Sequence, residues 1–333
     1  MNITFCINTT KDERDHIELL FKSLYANLSN RNHNIIVYIE TCGNGNVEFL
    51  VSQKKHFPNL TIIKNPLPVP IGYGRNINLM FEMATTEVVS YLQSDMVISP
   101  NYDIDILRNL TESNVVSSTR IEPPLHPPSL EKITHNFGLD PVKFDLDEFS
   151  KFSNNAKQDK ISDYWFAPFT IYKKTWLSIG GHDTIFRRSR EDSDLLYRFS
   201  IAKIKTIQDW NAIVYHFTCT SSRGKEWWKQ ANHDRTHTQS LADQVEMMKF
   251  LQKWPGFKHS STFDPLKEYK YNISANIFNA SESDVMKILQ SYYKFNKIYI
   301  DNIVVRDKVK EEFGKLQNFA NTLCNFSPEQ WLE

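Results

Sequence analysis

The sequence predicts an α/β protein: a mostly parallel central sheet with flanking helices, followed by a small C-terminal α/β module. Two observations carry this. Short apolar runs with the length of buried strands recur through the first hundred residues, with stretches of helical periodicity between them. Beyond about residue 258 the strand-and-helix pattern starts again. Strands joined through helices need right-handed parallel crossovers, which cover both faces of the sheet.

The elements follow in order. The run Ile3-Thr4-Phe5-Cys6-Ile7 reads as a first strand. Thr10-Lys11-Asp12-Glu13 is a capping box, and Ile17, Leu20, Phe21, Leu24, Tyr25 and Leu28 then form one apolar helical face. Ile35-Ile36-Val37-Tyr38-Ile39 is a second strand, ending at Glu40 and a Gly43-Asn44-Gly45 loop; Leu60-Thr61-Ile62-Ile63 is a third. Gly72-Tyr73-Gly74 opens a helix whose inner face is Ile77, Met80, Phe81 and Ala84. Val88-Val89-Ser90-Tyr91-Leu92 is a fourth strand, ending at Gln93-Ser94-Asp95. Ligands in such sheets bind at the carboxyl ends of strands, where Thr9, Glu40, Asn65 and Asp95 fall.

Residues 120–160, rich in proline, read as a long irregular stretch, and such stretches are usually functional loops. Regular structure returns at Trp165-Phe166-Ala167-Pro168-Phe169. A helix begins near Glu191, and Ala212-Ile213-Val214-Tyr215-His216 is another strand. These pieces read as one domain over residues 1–258. Residues 259–333 read as a βαβα module: strands at 269–278 and 297–305, and helices around Val285, Ile288, Leu289 and Tyr292, then Val309, Phe313, Leu316 and Ala320.

Composition narrows the function. The 333 residues balance 39 basic against 39 acidic, so nucleic acid and anionic membrane are not expected partners. With 41% hydrophobic and 23% charged residues, the chain is an ordinary folded protein. No apolar run is long enough for a membrane span, and no signal peptide is expected. Cys6, Cys42, Cys219 and Cys324 are scattered, without zinc-site spacing or a disulfide framework, which points to a reducing, cytoplasmic setting.

Four features stand in sequence order: Glu40 after a strand; Gly72-Tyr73-Gly74-Arg75-Asn76 before a helix; Gln93-Ser94-Asp95 after a strand; and Gly180-Gly181-His182-Asp183 followed by Arg190-Glu191-Asp192-Ser193-Asp194-Leu195. His216 ends a strand after them. In this ordered set the chain resembles the family-two glycosyltransferases, whose GT-A fold is Rossmann-like, over about residues 1–220. The resemblance implies transfer of a sugar, with inversion, from a nucleoside-diphosphate sugar (a UDP-sugar is favoured) to an acceptor hydroxyl. It implies that Thr9, Glu40, Arg75, Asn76, Gln93 and Ser94 bind the donor nucleotide. Glu40 stands where aspartate is usual, and Gln93 replaces the first carboxylate of a D-x-D pattern. It further implies a divalent cation at Asp95 and His216, with Mn2+ suiting a mixed carboxylate–imidazole shell better than Mg2+.

Helical spacing places Asp192 on one face with Leu195, Leu196 and Phe199, which turns its carboxylate inward as suits a general base; Glu191 lies on a more polar side and is the second candidate. Asp183 and His182 stand where the acceptor would bind, unless Asp183 only braces its turn. Trp165, Trp227 and Trp228 either stack on sugar rings or anchor the core. Arg223 and Lys225 lie on a loop that would clamp a diphosphate. The aromatic group Tyr292, Tyr293, Phe295 and Tyr299 either offers a surface for a homo-oligomer or a glycan or places two of its rings in the core. The competing reading is a binding or scaffolding protein that kept the fold and lost activity, motivated by Gln93.

Overall fold

The computed structural model describes residues 1–218 apart from 68, 69, 126, 127 and 188, then 246, 249, 250, 253, 254, 274–285 and 297–315. The chain divides into two compact units: Met1–Lys174 with Lys205–Arg235, and Thr175–Ile204 with Thr236–Glu333.

The first unit opens with β1 (Ile3–Thr9), α1 (Arg14–Asn27), β2 (Asn34–Ile39), α2 (Asn46–Gln53), β3 (Leu60–Lys64), α3 (Tyr73–Met83) and β4 (Val88–Gln93). These build a parallel half-sheet in the order β3-β2-β1-β4. Ile17, Leu20, Phe21 and Leu24 of α1 pack with Phe5, Ile7, Ile35 and Val37 in one buried cluster, the face that their spacing predicts. The other half comprises β5 (Met96–Ile98), α4 (Tyr102–Arg108), β6 (Asn114–Glu122), β7 (Lys132–Thr134), α5 (Leu146–Ala156), β8 (Ile161–Ser162), β9 (Phe169–Tyr172) and β10 (Lys205–His216). Here β9 joins β4 to β6, antiparallel to both, while β10 runs parallel to β6 and antiparallel to β5. The sheet is therefore mixed on this side.

The stretch expected to be irregular contains α5. Asp145 caps it by accepting from Glu148 N at 2.9 Å. Phe149 on its inner face joins Phe144, Ile121, Ile213, Tyr215 and Phe217 in a second buried cluster. Most of this stretch is thus structural.

The second unit holds α7 (Glu191–Ile201), on which Leu195 and Phe199 are fully buried, and a cluster of Phe186, Tyr197, Phe250 and Trp254. Also in this unit are β11 (Ser274–Ile277) and β12 (Lys297–Ile300), a parallel pair, and α8 (Ile303–Lys315). The last strand stops five residues earlier than expected, because Asn302 accepts from Val304 N at 3.0 Å and starts a helix. α6 (Lys173–Ser178) spans the junction of the units.

Candidate functional site

In the first unit, strand register assembles the predicted donor residues. Asn8 pairs with Tyr38 on one side and Gln93 on the other, and Thr9 pairs with Ile39. The carboxyl ends of β1, β2 and β4 therefore lie level, bringing Thr9, Glu40 and the Gln93-Ser94-Asp95 turn to one edge.

Glu40 organises the start of α3. Its Oε1 accepts from Ile71 N at 2.5 Å and Gly72 N at 3.2 Å, and its Oε2 accepts from Asn76 Nδ2. A carboxylate at this end offsets the positive helix N-terminus. Gly72 has φ 100°, which a side-chain-bearing residue adopts only with strain. Arg75 is exposed, with Asn76 buried beside it. Tyr38 is pushed up to about 12 by burial and by the charge of Glu40, with Arg75 opposing. Ser94 is tied to the first turn, since its Oγ donates to Glu13 Oε2 at 2.7 Å while Thr10 N donates to the same oxygen at 2.9 Å.

Spacing gave no signal for a layer of unsatisfied polar groups beneath this edge. Both side-chain atoms of Asn8, Tyr38 Oη, Asn76 Oδ1 and Gln93 Oε1 are buried with no hydrogen-bond partner among the described residues. Each such group costs roughly 1–3 kcal/mol unless something satisfies it, so these groups make the strand edge a candidate for a polar ligand.

The β4–β5 turn is stitched to the end of β10: Phe217 N donates to Asp95 O at 3.1 Å, and His216 pairs with Met96. This brings together Asp95 and His216, 121 positions apart in the chain, with His216 Nε2 3.8 Å from Asp95 Oδ2. That is too far for a hydrogen bond. It does fit two ligands of one cation, which at about 2.1 Å each lie no more than about 4.2 Å apart. Among the described residues no group of three or more His, Cys, Asp or Glu could hold a metal ion. The pair fits a cation shared with ligand oxygens and does not form a complete protein shell.

A residue with no sequence signal completes this cluster. Glu122, at the end of β6, has Oε1 3.0 Å from His216 Nδ1 and Oε2 2.8 Å from Lys132 Nζ. Arg120 Nη1 lies 3.2 Å from Oε1. Burial alone would raise the Glu122 carboxyl, but Arg120, His216 and Lys132 hold it well below the usual range.

In the second unit, Arg190, at φ 71°, precedes the paired carboxylates that open α7. Asp192 Oδ1 accepts from Ser193 N at 2.6 Å and lies 3.3 Å from Ser193 Oγ. Glu191 Oε2 is buried and has no hydrogen-bond partner among the described residues. Burial and the charge of Asp192 push Glu191 up to about 8, and burial raises Asp192. The more polar side of α7, next to Glu191, is buried. Asp194 and Arg198 there are fully buried, with Arg198 Nε donating to Asp194 Oδ2 at 2.8 Å and Lys253 Nζ to Asp194 Oδ1 at 2.6 Å.

Of the acceptor candidates, Asp183 accepts from Lys253 Nζ at 2.5 Å and from Ile185 N at 3.0 Å, contacts that tie down its turn. His182 is buried edge-on to Trp176, and burial with the nearby Arg198 charge lowers it to about 3. Trp165, in the first unit, is buried against Phe169. Arg223, Lys225, Trp227, Trp228, Tyr292, Tyr293 and Phe295 lie outside the described residues.

No family model matches the sequence, and no curated protein matches it either. Solved structures do match. A structure of GalNAc-T7 with UDP, GalNAc and Mn2+ superposes with a TM-score of 0.50 at 11% identity, covering 65% of this chain and 44% of that one. The chain has the GT-A glycosyltransferase fold. Two other GT-A matches score lower: TarS from S. aureus (TM-score 0.46, 13% identity, 65% of this chain and 36% of that one) and the mannosyltransferase PcManGT from Pyrobaculum calidifontis with GDP-Man and Mn2+ (0.48, 14%, 68% and 59%). The chain spans between about a third and three fifths of the length of these structures. No helix of the GT-A chain, among the described residues, is long and apolar enough to cross a membrane.

Proposed function

We propose that the protein transfers a sugar from a nucleoside-diphosphate sugar to an acceptor hydroxyl, with inversion at the anomeric carbon. One observation carries the reading: in a GT-A fold, Asp95 at the end of β4 faces His216 at the end of β10 across 3.8 Å. The level strand ends with Thr9, Glu40, Asn76, Gln93 and Ser94 hold the nucleotide, and Arg75, exposed at the start of α3, reaches toward it. The UDP in the GalNAc-T7 structure favours a UDP-sugar.

Asp95 and His216 would hold the divalent cation, Mn2+ by the donor set and by the GalNAc-T7 structure. When bound, that ion supplies positive charge to the leaving diphosphate. Arg223 and Lys225 add to that charge. Asp192 takes the proton from the acceptor hydroxyl. Its coupled neighbour Glu191, pushed up to about 8, keeps its proton at neutral pH, which leaves the base role to Asp192. Residues 259–333, Tyr299 among them, act in acceptor use or assembly rather than donor binding. Truncation after Lys258 tests this, since loss of donor binding from a soluble truncated chain would contradict it.

A panel of nucleotide-sugars in a thermal-shift assay, with and without Mn2+, tests the main reading. The matching donor is expected to raise the melting temperature, more so with the ion. A second reading, a sugar-nucleotide-binding protein without turnover, draws on the commitment of both Glu40 oxygens to α3 and on Gln93 in place of a carboxylate. Donor hydrolysis with Mn2+ separates the two, since a pure binder gives none.

A further inference from the structure

Glu122 and Asp95 face different ring nitrogens of His216, and this sets the hydrogen positions. Glu122 Oε1 lies 3.0 Å from His216 Nδ1 on one side, and Asp95 Oδ2 lies 3.8 Å from Nε2 on the other. An ionised carboxylate only accepts, so in a neutral imidazole Nδ1 carries the hydrogen and Nε2 keeps its lone pair. The 3.8 Å gap is too long for Nε2 to satisfy itself on Asp95.

We propose that Glu122 is the positioning residue of this centre: it holds His216 as the Nδ1–H tautomer, so that Nε2 and Asp95 present their lone pairs to one divalent cation. The proposal rests on the metal reading given above. Glu122 is fixed from behind. Register pairs Tyr215 with Ile121, which sets Glu122 beside His216, and pairs Arg120 with Lys132 on β7. Lys132 Nζ then holds Oε2 at 2.8 Å, and Arg120, itself stacked over Phe166 at 3.9 Å from the ring centroid, lies 3.2 Å from Oε1. With Glu122 only 4% exposed and Lys132 8%, the carboxylate has no room to swing away. Its lysine and arginine also keep the cluster from accumulating negative charge before an ion arrives. Carboxylates behind a ligating histidine orient the ring and raise its basicity, and removing one typically weakens metal binding roughly 10–100-fold.

The test uses the full chain in two measurements. Imidazole 15N spectra of the metal-free protein at pH 8, with the His216 signal assigned by its loss in His216→Ala, should show Nδ1 protonated and Nε2 bare; Glu122→Ala should shift the ring to a mixture of tautomers. Electron paramagnetic resonance of Mn2+ in the presence of UDP, which supplies the remaining oxygen ligands, should show uptake by the wild type and roughly 10–100-fold weaker uptake by Glu122→Ala. Glu122→Gln, which keeps an acceptor oxygen, should retain the wild-type tautomer. The wild-type spectrum needs no variant, so a Glu122→Ala chain that fails to fold does not block the test. An Nε2–H or doubly protonated ring in the wild type would overturn the assignment, as would a folded Glu122→Ala that binds Mn2+ like the wild type. A wild type with the expected tautomer but no Mn2+ uptake would instead contradict the metal reading, and the positioning role would fall with it.

Discussion

Glu122 in the first unit and Glu191 in the second are both carboxylates that burial pushes toward neutrality, yet they shift in opposite directions. Arg120, His216 and Lys132 face Glu122 and hold it well below the usual range. Glu191, buried and facing the negative Asp192 and Glu246, rises to about 8 against a backbone hydrogen bond and Arg190. The contrast recurs within a single turn of α7, where Asp194, facing Lys253 and Arg198, is lowered while Asp192 is raised. Burial is common to all four groups; the number of cations facing each decides the sign. Lowered carboxylates serve as fixed anchors, and a raised pair suits proton transfer near neutral pH.

The comparison breaks most visibly at the anchors. Arg198→Met or Lys253→Met leaves Asp194 short of a partner in a fully buried position, and loss of about 3–5 kcal/mol is expected, read from denaturant unfolding. A loss under about 1 kcal/mol would mean that Asp194 is not held by these charges.

At the raised pair, Asp192→Asn should cut turnover by at least about a hundredfold while leaving donor affinity intact. An active Asp192→Asn beside a dead Glu191→Gln would move the base to Glu191.

The smallest expected effect is a drift with pH. Between about 4.5 and about 8 native Glu191 keeps a proton that the unfolded chain has released, so stability should fall as pH rises through that window. Glu191→Gln should flatten the drift, measured as melting temperature against pH. The anchors act in reverse at lower pH. Hydrogen bonds from His33 and Ser29 outweigh burial and lower Asp103 to about 2, so its contribution is present above about 3.8 and lost as pH falls toward 2.

These regions also differ in how far the sequence reveals them. β1, β2 and β4 are apolar runs whose ends carry the candidate donor residues, so the parallel half-sheet and its ligand edge are legible directly. β6 is not, because Ser117, Ser118 and Thr119 interrupt its apolar pattern. Their hydroxyls are satisfied inside the fold, Ser118 by Tyr102 Oη at 2.7 Å and Thr119 by Asp209 O at 3.0 Å. With that strand hidden, Glu122 at its end is hidden too, and its imidazole partner lies 94 residues away. The α7 carboxylates are legible from helical spacing. Their electrostatics are not, since Lys253 and Trp254 reach Asp194 from about 60 residues downstream. Local pattern carries the elements, and long-range charge pairing decides what each carboxylate does.

The central claim is that the Asp95–His216 pair couples a divalent cation to a nucleoside diphosphate. Calorimetric titration of UDP into the wild type and Asp95→Ala, each with and without Mn2+, measures it directly. Mn2+ should tighten UDP binding to the wild type, Asp95→Ala should abolish this tightening, and His216→Ala should weaken it. Binding that ignores Mn2+ and survives Asp95→Ala unchanged would contradict the account and shift phosphate neutralisation to Arg223 and Lys225.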